Sequence, residues 1–541
     1  MKKTALTILL ATACIIASAQ NGHDAWMFSE SDYEGTARSV AMGNAFTALG
    51  GDLGAVTINP AGSAVAGYSQ FTITPSLTFS TNTTSGVAPQ GSNTLPYFEK
   101  TFRNTIAKAG VPNVGFSFNL DTGRKSGLKT MSFGFIANRT NSWCEDVYAK
   151  GTNSTTSFAA YMADHATSTL AEYNANRPAS EPEFTYLDFE AEDAYKYMPW
   201  QDVVGYRSGI FARNDMNSNE FIGATELLLP NGNLQQGGPL NQTYGKSIYG
   251  SKYDYTFNVG ANISDFIYIG INLNIVSLSY DMTEYFKEAA VDMDDFKNEF
   301  GADGIAYFNS MMYKYSYSAS GTGVSGKFGV IVTPGFGLRL GAAVQTPTSG
   351  IITEQWQEKG EVNYDNSKFN GNASSPLGES KYRLISPLRA NFGIAYTLGK
   401  FALISADYEV TDYGSMKFMA EYDEDREFFD LCNEDIKAFY STAHNLRLGA
   451  EVKPLGALSI RAGYNFLLDT YKDSDPLRRN SISFGAGYSS KGSFFADIAC
   501  RYTLEDKEYI TPYQPYNDEY VPEILNRHSD WKLLLTIGWR F

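Results

Sequence analysis

The sequence predicts an all-β membrane protein: a closed antiparallel transmembrane β-barrel of about fourteen strands, with an N-terminal hatch inside the barrel and long extracellular loops. Three observations predict it. Apolar and polar residues alternate with period two along many segments, the signature of strands with one dry and one wet face. Beyond the first nineteen residues no stretch approaches the ~18 consecutive apolar residues that a membrane helix needs. The gaps between the alternating segments are short and long by turns, which a soluble sandwich has no reason to produce. Composition agrees: 36 Tyr, 35 Phe and 49 Gly in 541 residues exclude a disordered acidic chain. A net charge of -16 disfavours nucleic acid as a partner, because that binding is driven by basic residues.

The chain opens with a leader, residues 1–19. Lys2 and Lys3 form a basic start, Ala5 to Ala17 an apolar run, and Ala17-Ser18-Ala19 a small-x-small cleavage site, so export is expected with Gln20 as the first mature residue. A lipoprotein signal through Cys14 is the rival, but Ala11 stands where a bulky aliphatic residue is wanted.

Residues 20–69 differ in character from the remainder of the chain. They are small, polar and rich in glycine, with little sustained alternation, and cannot be barrel wall. A barrel with a polar interior gives them a place to go, and their glycines allow close packing there; the expectation is a plug.

The wall is expected over residues 70–541, in segments near 70–80, 112–120, 129–140, 252–263, 266–280, 313–332, 336–346, 386–398, 400–410, 441–452, 457–467, 480–489, 493–504 and 531–541. The last is the clearest, with Trp531, Leu533, Leu535, Ile537, Trp539 and Phe541 on one face. Trp539 and Phe541 form the C-terminal strand signal by which a barrel-assembly machinery takes up such a chain. Closure follows because hydrocarbon offers an unpaired strand edge no hydrogen-bond partner. Tyr253, Tyr313, Tyr315, Tyr317, Trp531 and Trp539 are read as interfacial aromatics, although ordinary strand aromatics look the same. Residues 141–251 form a large extracellular insertion with helical stretches near 157–175 and 200–206.

Here the residues carry a resemblance. Ala37-Arg38-Ser39-Val40-Ala41-Met42-Gly43-Asn44-Ala45-Phe46-Thr47-Ala48-Leu49, then Asp52 and Asn59-Pro60-Ala61-Gly62, resemble the hatch of the FadL, OmpP1 and TodX family of outer-membrane transporters. Leu338 to Ala342 with Thr346-Pro347-Thr348, and Ser386 to Arg389 with Asp407-Tyr408-Glu409, resemble later strands of Bacteroidota-type members. The resemblance implies an outer-membrane location among lipid and lipopolysaccharide. It also implies passive uptake of long-chain fatty acids or other hydrophobic small molecules, a hatch that gates, and lateral release past a kinked third strand. Ser132, Gly134 and Ile136 mark that strand here, with Gly134 at its centre, where a bulge or kink is plausible. Gly43, Asp52, Asn59, Pro60, Ala61 and Gly62 carry the hatch motif. On this reading Asn59→Ala, or a bulky residue at Gly134, lowers uptake without unfolding the barrel.

No enzyme, cofactor or metal pattern is legible. Gly321-Thr322-Gly323-Val324-Ser325-Gly326 matches a dinucleotide motif in letters but lies within an alternating strand. Gly245-Lys246-Ser247 lacks the first glycine of a phosphate loop, its place being taken by Leu240. Cys144, Cys432 and Cys500 are odd in number and widely spaced. Asp292, Asp294 and Asp295 lack the glycine of a calcium loop, and the acidic run from Glu421 to Asp430 reads as a solvated loop. Two other function classes stay open: a general diffusion porin, and a surface binding or adhesion protein using residues 141–251.

Overall fold

The computed structural model describes residues 22–88, 97–178, 180, 183–214, 220–467, 472, 479–490, 493–516 and 519–541; the leader lies outside them. Fourteen antiparallel strands form one closed wall. They are β1 (Gln70–Gly86), β2 (Phe102–Asp121), β3 (Leu128–Asn153), β4 (Leu240–Ile263), β5 (Ile267–Ala290) and β6 (Ile305–Gly335). Next come β7 (Leu338–Gln345, resumed at Ser349–Tyr364), β8 (Gly378–Ile385, resumed at Arg389–Leu398) and β9 (Ala402–Asp412, resumed at Lys417–Ala420). The rest are β10 (Thr442–Leu455), β11 (Leu458–Leu467), β12 (Ser481–Ser489), β13 (Phe494–Ile510) and β14 (Ile524–Arg540). Each strand pairs with its neighbours in order, and β14 closes on β1 with Trp539 opposite Phe71.

The alternation read from the sequence is the alternation of the wall. On β2, Phe116, Phe118 and Leu120 face outward and are about half exposed, while Ser117 between them and Asn113 before them are buried. The same outward row continues through Phe257 and Val259, Ile271 and Leu273, Phe392 and Ile394, and Leu533 and Leu535. An apolar belt of this extent is stable only against lipid. At one end the connections are tight, with left-handed residues at Ser264 and Asp265, at Phe336 and Gly337, and at Gly399. At the other end β3 to β7 run far past the ~9–11 residues that cross a membrane, β6 being 31 residues long. The wall is therefore tall on one side.

Two readings change with this height. Tyr313 and Tyr317 are not interfacial: both are buried, facing inward in the tall part of the wall. Trp531 and Trp539 do lie on the outer surface, near opposite ends of the belt, opposite Phe79 and Phe71. Residues 141–153 and 240–251 also remain in the β3–β4 ladder, so the part of the insertion that leaves the wall is 154–239. It contains helices Phe158–Asn176 and Trp200–Ser208, close to where the helical stretches were expected. The acidic run leads into helix Arg426–Phe439. The dinucleotide-like glycines lie inside β6.

Helix Phe158–Asn176 is pinned to the wall at its first turn. Ser157 caps it, accepting from the amide of Ala159 at 3.1 Å. Glu288 of β5 accepts from the amide of Phe158 and from the Ser157 hydroxyl, both at 2.7 Å. A carboxylate at a helix N-terminus meets both the unpaired amides and the positive end of the helix dipole. Burial nevertheless pushes the Glu288 carboxyl above its usual range, outweighing those hydrogen bonds.

Candidate functional site

Residues 22–66 are almost wholly buried, and their partners are inward-facing groups from around the wall. Close approach is possible because the wall is glycine at the points of contact. A Cβ on Gly463 of β11 would stand 2.1 Å from the amide nitrogen of Gly43, and one on Gly329 of β6 would stand 2.0 Å from Oδ1 of Asn59. Gly341, Gly270 and Gly449 are held in the same way by Thr47, Pro60 and Met42.

The motif residues form one scaffold within the segment. Gly43 has φ +61° and its α-carbon faces the main chain of β10 and β11, so a side chain is excluded on both counts. Asp52 accepts from the Thr36 hydroxyl at 2.7 Å and from the amide of Gly54 at 2.9 Å, tying two turns together. The Asn59 amide donates to the carbonyls of Thr47 at 2.6 Å and Val330 of β6 at 3.2 Å, while its own oxygen accepts from the amide of Ala61 at 3.0 Å. The Pro60 carbonyl accepts from Asn258 of β4 at 3.1 Å, Ala61 packs on Tyr268 and Ile331, and the Gly62 carbonyl accepts from Gly51 at 2.8 Å.

On β3, Ser132 meets Ser63 at 2.8 Å and Ile136 packs on Leu53 and Val56. Gly134 is paired regularly, opposite Ser117. The irregularity of the wall lies further up. Pairing between β2 and β3 ends at Asn113 and Asn138, although β2 runs on along β1 and β3 runs on along β4. Pro112 follows immediately on β2 and has no amide to donate, and Pro75 marks the register shift on β1 at the same level. On β3 the ladder with β4 shifts at Thr140. Above this point side chains cross in place of main-chain bonds: Lys108 reaches the carbonyls of Trp143 (3.1 Å) and Gly250 (2.7 Å), and Asn104 reaches Asp146 at 2.6 Å.

The N-terminal segment is fastened at this parting. The amide of Asp32 donates to the carbonyl of Thr140 at 2.6 Å and the amide of Glu34 to that of Arg139 at 3.1 Å. The Glu34 carboxylate takes Arg139 Nε at 2.8 Å and Nη2 at 2.6 Å on one oxygen, and Lys532 of β14 on the other. Asp32 pairs with Arg501. Proline in an otherwise alternating strand was the available sequence signal for this parting; Gly134, where a bulge or kink was expected, lies in regular pairing below it. Asp32, Glu34 and Arg139 carried no motif at all.

One cavity of about 110 Å³, lined by Asp32, Tyr33, Asn141, Arg501 and Lys532 among others, lies at the parting, and two more lie above the segment's core. A small one of about 50 Å³ is lined by Phe28, Leu278, Ile352 and Leu384 with Lys252 and Arg389. Both cations are engaged, Lys252 by the carbonyls of Phe28 and Glu30 and Arg389 by Glu409 at 3.7 Å. A larger one of about 370 Å³ lies outside the membrane between the insertion and the tall wall.

A closed fourteen-stranded barrel with an apolar belt, a polar interior and a buried N-terminal segment defines an outer-membrane protein of the FadL-type fold. Among solved structures, the P. putida toluene transporter TodX aligns over 94% of this chain and 99% of its own, with 12% identity and a TM-score of 0.51. A Pseudomonas aeruginosa FadL homologue aligns over 95% of this chain and 99% of its own, with 11% identity and a TM-score of 0.50. No protein-family profile matches the sequence, and no curated protein does.

Proposed function

We propose that the protein is a FadL-family transporter that carries hydrophobic small molecules passively across the outer membrane, with residues 20–69 as its gate. Release is sideways, between β2 and β3. An apolar solute gains nothing from a watery pore and leaves most favourably into lipid. The observation that carries this reading is the coincidence of two features at one place: the wall parts above Asn113 and Asn138, and the N-terminal segment bonds to the β3 carbonyls at that point. Withdrawal of Asp32 and Glu34 frees Arg139, which otherwise fills the space beside Gly110 of β2. The filled lumen argues against a diffusion porin. The test is uptake of a radiolabelled apolar solute by cells that lack their own carrier: expression of this chain is expected to raise the rate severalfold, and an unchanged rate overturns the proposal.

A further inference from the structure

The larger cavity is built jointly by the insertion and the strand extensions. Phe158 and Tyr161 come from the first insertion helix, Trp200 from the second, Tyr313 from β6, Trp356 from β7 and Tyr513 from the connection between β13 and β14. The rings meet at tilted angles of 34–40°: Phe158 to Tyr313 at 5.5 Å, Tyr161 to Tyr513 at 5.8 Å and Trp200 to Trp356 at 5.6 Å between centroids. At about 370 Å³ the cavity is within the ~300–1,000 Å³ range of small-molecule sites.

Its charge is one-sided. Glu284 and Glu358 line it, and among the described residues no lysine or arginine does. Glu284 accepts from the Tyr244 hydroxyl at 2.6 Å, whereas Oε2 of Glu358 is buried without a hydrogen-bond partner. His165 also lines the cavity, and its Nδ1 is bonded to the buried Asp202 at 2.8 Å. A buried carboxylate oxygen with no donor is costly unless something supplies one, and a box of aromatic faces attracts a cation.

We propose that this cavity is a vestibule for a compact aromatic molecule bearing an ammonium group, and that it rejects fatty-acid anions. This rests on the transport reading above and narrows its substrate class. The ammonium donates to Glu358 while the ring stacks among Tyr313, Trp356 and Trp200. Burial pushes the Glu358 carboxyl up to about 7, the nearby Tyr313 hydroxyl lowering it and Asp202 raising it, so a cationic ligand completes its ionisation. Glu358 stands outside the membrane, seven positions beyond Ile351, the last outward apolar residue of β7, after which Thr353, Gln355 and Gln357 occupy the outward face.

The test is calorimetric titration of the full chain in nanodiscs with 2-phenylethylamine, ethylbenzene and dodecanoate. The amine is expected to bind at least tenfold more tightly than ethylbenzene, Glu358→Gln to remove that preference, and dodecanoate not to compete. Competition by dodecanoate, or equal affinity of amine and hydrocarbon, overturns the proposal. Should Glu358→Gln fail to fold, anomalous scattering from 2-(4-bromophenyl)ethylamine in wild-type crystals decides: bromine beside Trp356 supports the site, and bromine elsewhere overturns it. Uptake is read separately in proteoliposomes, so binding without uptake upholds the vestibule while removing the transport reading.

Discussion

Glu34 is engaged from two sides, by Arg139 of β3 and Lys532 of β14, the strands that flank the β1–β2 pair. Removing one member of a buried charge cluster leaves the others uncompensated, at a cost of ~3–5 kcal/mol. Glu34→Gln is therefore expected to loosen the segment from β3, seen as faster hydrogen exchange at residues 32–34 with the barrel intact; unchanged exchange contradicts the fastening described. Asn59 belongs to the same scale. Its single amide serves the segment and β6 together, so Asn59→Ala is expected to lower uptake while heat-resistant migration of the barrel is kept. The motif of the N-terminal segment, whose fixed backbone shape Gly43 shows with its φ of +61°, was visible in the sequence through its resemblance to a known family's. The glycines that receive it were not, since a glycine in a strand says only that something comes close, not what.

At the scale of elements, the strands were legible and their heights were not. Alternation marks a strand only where one face meets lipid and the other the lumen. Above the belt the wall meets the insertion on one side and water on the other, and the code dissolves: Tyr313 and Tyr317 read as interfacial but lie in aromatic clusters. The parting of β2 from β3 was not read from the sequence, although Pro75 and Pro112 were the residues that could have marked it. Pro112→Val restores a donor on β2 and is expected to extend its pairing with β3, reducing uptake severalfold without altering the amount of folded barrel. Unaltered uptake with a demonstrably longer ladder contradicts lateral release there.

For the whole molecule, the chain divides its labour between a lipid-facing wall, a polar interior and an acidic, aromatic cap. The cap was the least legible part, because Phe158, Trp356 and Tyr513 are brought together only by the closed wall. It also carries a pH dependence. Glu226 in the insertion is buried and its carboxyl is pushed up to about 7 by that burial, the Gly223 amide lowering it and Asp164 raising it. The folded cap holds this proton where the unfolded chain has released it, so cap stability falls as pH rises from about 4.5 to about 7 and then levels, by at most roughly 3 kcal/mol. Glu226→Gln is expected to flatten that decline in thermal melts followed by near-ultraviolet circular dichroism; an equal decline in the variant contradicts it.

The central claim is that the N-terminal segment must move against β3 for a hydrophobic molecule to pass. The hydroxyls of Ser63 and Ser132 stand 2.8 Å apart, one on the segment and one on β3, so a cysteine pair there is placed to lock the two together. In a background with Cys144, Cys432 and Cys500 replaced by serine, uptake by the Ser63→Cys/Ser132→Cys variant is the direct measurement. The account predicts uptake abolished when the pair is oxidised and restored on reduction; full uptake through the oxidised protein would contradict it.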